Sequence, residues 1–145
     1  MTKMGPSDLG GLMRRLIDGW NARDVDGFVA CFTDPLVVRT GEDQEDLEVS
    51  RVEHQEAACT WWERFPDLTE TIEEMLVDGD RVLLRTRSTG TLQTEWRGIQ
   101  PTGEQVAWDA WYVYRVHDGL VAEERLLMDL MGLFVQLGAV EPPGA

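Results

Sequence analysis

Three side chains of this sequence could move protons in one place: Tyr112, Glu124 and His54. A general base works best with a pKa near the operating pH, and a carboxyl held among Leu126, Tyr112 and Trp108 would be pushed toward that range by loss of water. The Tyr112 hydroxyl can donate a hydrogen bond to an oxygen on which negative charge develops, such as that of an enolate. His54 lies early in a helical segment, where it reads either as a proton shuttle or as a surface residue beside the apolar stripe. Glu124 reads either as a cavity carboxyl or as a strand-edge residue in solvent. Strand parity decides between the two.

Between Arg81 and Ser88 the odd positions hold Arg81, Arg85 and Arg87, so the uncharged even set, Thr86 included, should face inward. From Val106 to Val116 the even set, Trp108, Ala110, Tyr112 and Tyr114, is uncharged, whereas Asp109 and Arg115 share the odd face with Trp111 and Val113. The parity of the last strand depends on its hairpin. A three-residue loop, His117-Asp118-Gly119, turns Ala122, Glu124, Leu126 and Met128 inward, and a two-residue Asp-Gly turn reverses this. The even set is mostly apolar and the odd set carries Glu123 and Arg125, so we take the three-residue loop. Thr86, Trp108, Leu126 and Met128 then line a pocket together with Thr40 and the helix-borne Trp20 and Trp62, while Trp61, Trp96 and Trp111 go to an outer surface. Aromatic walls with few polar groups suit a flat or extended apolar small molecule.

The elements that must hold these residues follow from periodicity. Leu9, Leu12, Met13, Leu16, Ile17 and Trp20 form one helix face, with Ser7 and Asp8 as candidate caps. Asp24 starts a second, short helix with Val25, Phe28, Val29 and Phe32 inward, ended by Asp34-Pro35. Leu36 to Thr40 reads as a strand, and Gly41 to Leu47 as a solvated acidic loop. Ser50 opens a third helix carrying Val52, Gln55, Ala58, Cys59, Trp62 and Phe65, stopped at Pro66-Asp67. Thr69 to Val77, Arg81 to Leu92, Val106 to Val116 and Leu120 to Met128 are strands. Asp129 caps a final helix, Leu130 to Leu137, which ends at Gly138. Helices first and a meander afterwards define an α+β domain spanning residues 1–145, with 140–145 as a frayed tail.

The 145 residues carry 27 acids against 13 bases, a formal net charge of -14, which argues against nucleic acid and anionic membranes as partners. Twelve of those bases are Arg, and we draw no function from that bias. The first residues lack a secretory signal pattern and no apolar run is long enough to span a bilayer, so a cytoplasmic location is expected. Cys31 and Cys59 lack redox or zinc spacing and read as two buried free thiols. With two His and no ligand pair, no metal site is expected. Gly98 to Gly103 is not a phosphate loop, because Pro101 removes an amide donor and no helix follows.

Several blocks together carry a family resemblance: Gly98-Ile99-Gln100-Pro101-Thr102-Gly103, Val113-Tyr114-Arg115-Val116-His117-Asp118-Gly119, and the run from Asp129 to Gly138, with Trp20-Asn21-Ala22-Arg23-Asp24 and Phe65-Pro66-Asp67-Leu68 upstream. Nearly the whole chain resembles the SnoaL-like polyketide cyclases, of the cystatin-like fold shared with ketosteroid isomerase, limonene epoxide hydrolase and the nuclear transport factor two-like proteins. The resemblance implies a cone-shaped, curved mixed or antiparallel sheet wrapped around the N-terminal helices, with a short C-terminal helix. It also implies cofactor-independent ring closure by an intramolecular aldol step, using an Asp at the position of Leu126 and a His at that of Tyr112. This chain departs from the pattern at both, and the acids of the other relatives would fall on Thr40, Tyr112 and Leu126. The expected function is therefore a cyclase or related tailoring enzyme of secondary metabolism, acting on a polyketide-type apolar molecule through Tyr112, Glu124 and His54. A non-catalytic small-molecule binder and a small isomerase or hydrolase are the alternatives. The resemblance further implies a homodimer through the outer sheet face, with Trp111 and Val113 among Asp109, Arg115, Arg85 and Arg87.

Overall fold

The computed structural model describes residues 4–41 and 45–144. Its elements are α1 (Pro6–Asn21), α2 (Val25–Val29), β1 (Phe32–Thr40), β2 (Leu47–Val49), α3 (Arg51–Arg64), β3 (Thr69–Asp78), β4 (Arg81–Thr91), β5 (Gln105–His117), β6 (Leu120–Met128) and α4 (Leu130–Gln136). The six strands form one curved sheet in the order β2-β1-β6-β5-β4-β3, in which β1 and β6 are parallel and every other pair is antiparallel. This is the expected α+β arrangement, a mixed sheet around N-terminal helices with a short helix at the end. None of the described helices is long and apolar enough to cross a membrane.

The apolar stripe of α1 is buried as its spacing requires, with Leu9, Leu12, Met13, Leu16 and Ile17 all in the core. Its cap lies upstream of the residues expected: Gly5 is the N-cap, Pro6 takes the first helical position and the Asp8 carboxylate accepts the Gly5 N–H at 3.1 Å. Asp24 does cap α2, accepting the Gly27 N–H at 3.0 Å. That helix stops at Val29, short of Asp34-Pro35, and Phe32 already belongs to β1. Pro35 is accommodated inside β1 because the β1–β6 register shifts between Phe32 and Val37, so no ladder hydrogen bond is asked of it.

Leu47 to Val49 pairs with Leu36 to Val38 as an edge strand, so Leu47 is not part of a loop. Residues 42–44 of the acidic stretch lie outside the described residues. Helix α3 is capped by Ser50 in reciprocal fashion with Glu53, at 3.2 and 2.8 Å. Its inner face differs from the expected one: Val52 is 61% exposed and Cys59 is exposed, while His54, Ala58, Trp61, Trp62 and Phe65 turn inward at i, i+4, i+7, i+8 and i+11. The inner stripe opens with a histidine, which a hydrophobic pattern does not count. Cys31 alone of the two thiols is buried.

Two apolar clusters fill the interior. One packs α1 and α2 against β4, β5 and β6; the other gathers Phe65, Leu68, Leu92, Trp96, Val106, Trp108, Leu133 and Leu137 beneath α4. Trp96, 6% exposed, and Trp61 thus face the interior and not an outer surface, whereas Trp111 is 45% exposed. Gln136 clips α4 to β5, accepting the Ala107 N–H at 2.9 Å and donating to its carbonyl at 2.6 Å.

A similar clip joins α1 to β3. The Asn21 amide accepts the Glu70 N–H and donates to the Glu70 carbonyl, both at 2.8 Å, so the end of the first helix sets the height of Glu70 in the sheet. Asn21→Ala strands both part-buried backbone groups and should destabilise the protein by about 1–3 kcal/mol, measured by denaturant unfolding. A change below the measurement error would mean that water replaces the clip at no cost.

Candidate active site

The interior side chains are aimed by two one-residue bulges. In β3, Ile72 pairs with Thr86 and Glu74 with Arg85, leaving Glu73 as the extra residue; Glu70 and Ile72 face in before it, Met75 and Val77 after it. In β6, Val116 pairs with Val121 and Arg115 with Glu123, so Ala122 is the extra residue. The hairpin ahead of it is the two-residue type, His117 opposite Leu120, with Asp118 and Gly119 both at positive φ, 51° and 80°. That turn corrects the expected three-residue loop and starts the strand with odd residues inward, as Val121 is. The bulge then restores the even set, so Glu124, Leu126 and Met128 reach the interior after all.

They open onto a cavity of ≈ 150 Å³ between the sheet and helices α1 and α3. Of the residues singled out from the sequence, Trp20, His54, Trp108, Tyr112, Glu124, Leu126 and Met128 are on its wall. Trp62 packs behind Trp20, ring centroids 5.2 Å apart, and Thr86 sits fully buried behind a carboxylate of the wall. Thr40 belongs to a neighbouring groove and not to this cavity. Sequence reasoning missed Glu70, Tyr114 and Trp61, all on the wall. Glu70 did leave a signal: it shares parity with Leu68 and Ile72 across polar Thr69 and Thr71, the pattern of a residue on the apolar face.

Glu70 is 6% exposed, and its Oε1 accepts the Thr86 hydroxyl at 2.6 Å and the Tyr112 hydroxyl at 3.0 Å. Burial raises its pKa, and those two hydrogen bonds, which favour the ionised form, offset part of the rise. Glu124 stands opposite Tyr114 across β5–β6 and accepts a hydrogen bond from it. Burial, opposed by that bond and reinforced by the charge of Glu70, pushes the Glu124 pKa up to about 7. The two tyrosines stack at 5.2 Å, and burial together with the carboxylates raises both of their pKa values well above the ordinary one. His54 is wedged against Phe32 and Phe28, 4.4 and 5.1 Å between ring centroids, and burial lowers its pKa to about 4, which leaves it neutral at pH 7.

Two carboxyls therefore share one apolar cavity, each held by its own tyrosine, and the charge of Glu70 disfavours that of Glu124. Such a set can take a proton with Glu124 while the N–H of neutral His54 donates a hydrogen bond to an oxygen nearby. Among the described residues no group of three or more His, Cys, Asp or Glu side chains converges as metal ligands would.

Comparison with solved structures finds AclR, a candidate hydroxylase from Streptomyces galilaeus, at 28% identity and a TM-score of 0.84, over 97% of this chain and 91% of that one. A candidate SnoaL-like polyketide cyclase from Jannaschia sp. CCS1 superposes with a TM-score of 0.81 at 24% identity, over 99% of this chain and 100% of that one. IdmH, a candidate polyketide cyclase from Streptomyces antibioticus, gives 0.78 at 23% identity, over 89% and 97%. The last two likenesses are of fold. A search of curated proteins found no match. The family model for SnoaL-like polyketide cyclases matches residues 11–137, and the chain, with the curved sheet, the helices and the cavity that go with that match, belongs to this family.

Proposed function

We propose that this protein closes a ring in a polyketide-type, largely apolar small molecule, with Glu124 as the base and neutral His54 as the hydrogen-bond donor to the developing oxyanion. The observation that carries this reading is the pair of carboxyls facing one aromatic-walled cavity, with the pKa of Glu124 at about 7. Glu124 removes a proton from a carbon beside a carbonyl, and the N–H of neutral His54 hydrogen-bonds the enolate oxygen. The enolate carbon then attacks a second carbonyl of the same molecule, forming the new carbon–carbon bond, and the resulting alkoxide takes its proton back from Glu124. Tyr112 and Thr86 hold Glu70 in place, where its charge helps to keep the Glu124 pKa near neutrality.

The first half of this reaction can be read without the natural substrate. In D2O, wild-type protein should speed exchange of the methyl protons of 2-acetylnaphthalene over buffer alone, followed by NMR. Glu124→Gln should slow that exchange by roughly 100-fold or more, and Glu70→Gln by about tenfold. Exchange no faster than in buffer, or full activity in Glu124→Gln, overturns the assignment. Leu126 on the cavity wall, where the family resemblance implies an Asp, favours a second reading, a binder without turnover. Under it such ketones raise the melting temperature and exchange nothing.

Stability offers an independent check on Glu124. Its pKa in the folded protein, about 7, lies above the ordinary 4.5, so the folded state holds this proton more tightly than the unfolded state does. The resulting stabilisation is complete below pH 4.5 and is lost as pH rises through 7. The stability difference between wild type and Glu124→Gln should therefore shift against the wild type by roughly 1–3 kcal/mol from pH 4.5 to 7.5. A difference constant across that range would mean that Glu124 titrates like a surface carboxylate.

We also propose that two copies pair through the outer sheet face. Adjacent rows there run Leu76, Leu83, Val113, Arg125 and Glu74, Arg85, Trp111, Leu127, and Leu76, Trp111 and Leu127 are 57%, 45% and 63% exposed. Sedimentation should give a dimer for wild type at micromolar concentration and a monomer for Trp111→Glu; a wild-type monomer rejects the pairing.

A further inference from the structure

Trp61, Leu126 and Met128 have a second side. Besides lining the inner cavity they border an outer groove of ≈ 700 Å³, whose polar and charged wall residues are Thr40, Arg64, Glu95 and Arg97. The groove thus adjoins the cavity, with these three side chains as their common wall. Arg64 occupies the last turn of α3, half-buried, and its guanidinium lies 5.2 Å from the Trp61 ring and 4.9 Å from the Trp96 ring. Two indoles fix the position of this cation. Glu95, the carboxylate of the groove, accepts the Gly98 N–H at 2.9 Å, and Arg64 makes no ion pair among the described residues. Arg39, Arg85, Arg87 and Arg115 each meet a carboxylate within 4 Å, as is readily achieved in a chain with 27 acids and 13 bases.

We infer that Arg64 and the outer groove recognise a carboxylate carried on the far end of a ring-containing ligand whose reactive part occupies the inner cavity. The inference rests on the inner cavity being the ligand site. A planar guanidinium resting against two indoles that meet edge-to-face is restrained, and its fork of N–H donors has the geometry that takes a carboxylate through two parallel hydrogen bonds. Burial lowers the Arg64 pKa and the nearby positive charge of Arg97 adds to that, so an incoming anion relieves both penalties. The protein as a whole, at -14, repels anions, which makes a local preference for one a property of this groove and not of the general field.

The competing explanation is that Arg64 merely covers the Trp61 and Trp96 faces, in which case its removal affects neutral and charged ligands alike. The probes are 6-acetyl-2-naphthoate and its methyl ester, which place a ketone at one end and either a charge or none at the other. Binding is read by calorimetry or tryptophan quenching at low and high salt. Wild type should bind the carboxylate about tenfold more tightly than the ester, the preference weakening with salt, and Arg64→Gln should bring the two within twofold while leaving the ester's Kd unchanged. Arg64→Lys, which keeps the charge and loses the fork, should retain part of the preference. Ester binding without any preference for the carboxylate overturns the anion subsite alone, as does a preference that survives in Arg64→Gln. Failure of both probes to bind at millimolar concentration overturns the inner-cavity reading and this one with it.

Discussion

The sheet must wrap around α1 and α3 while keeping an apolar inner face, and the two bulges at Glu73 and Ala122 are where that demand is met. Each adds local twist to its strand and each exchanges the set of residues that points inward. Ahead of the Ala122 bulge Val121 is the inward residue; beyond it Glu124, Leu126 and Met128 are. Glu73 divides β3 in the same way, into an end that delivers Glu70 to the cavity and an end that delivers Met75 and Val77 to the core. Without the two extra residues the curvature would be less and one carboxyl of the cavity would lie outside.

Carrying carboxyls into an apolar interior is costly unless their oxygens are satisfied. The molecule meets this cost within the sheet: Thr86 donates to Glu70 from the adjacent β4, Tyr112 reaches it from β5 one strand further on, and Tyr114 donates to Glu124 from directly across the β5–β6 pair. The Asn21 clip holds the Glu70 backbone from the helix side. The remaining cost appears as raised pKa values, which is the state that acid–base work near neutral pH requires.

Much of the frame was legible from pattern. The α1 stripe, the caps at Asp24, Ser50 and Asp129, and the parity of β4 and β5 all follow from local chemistry, because period and capping act over a few residues. The inner face of α3 was not, since it begins with His54 and ends in tryptophans while Val52, apolar, lies outside. The hairpin shows how a correct result can come by an incorrect route: the turn has two residues, and a bulge three positions later undoes its effect on parity. A bulge is chosen by the curvature of the whole sheet and leaves no residue signature at Ala122.

The sequence by itself determined the order of the elements, the family frame and the apolar character of the cavity, along with Tyr112 and Glu124 as groups that could meet there. Only the tertiary structure decided that Glu70 joins them and that His54 is pressed against Phe32 and Phe28 and neutral. It also decided that the Tyr112 hydroxyl is given to Glu70. The physical reason is that the pKa and the partner of a buried group are set by neighbours distant in the chain. Asn21, Glu70, Thr86, Tyr112 and Glu124 meet only once four strands and a helix have closed around them.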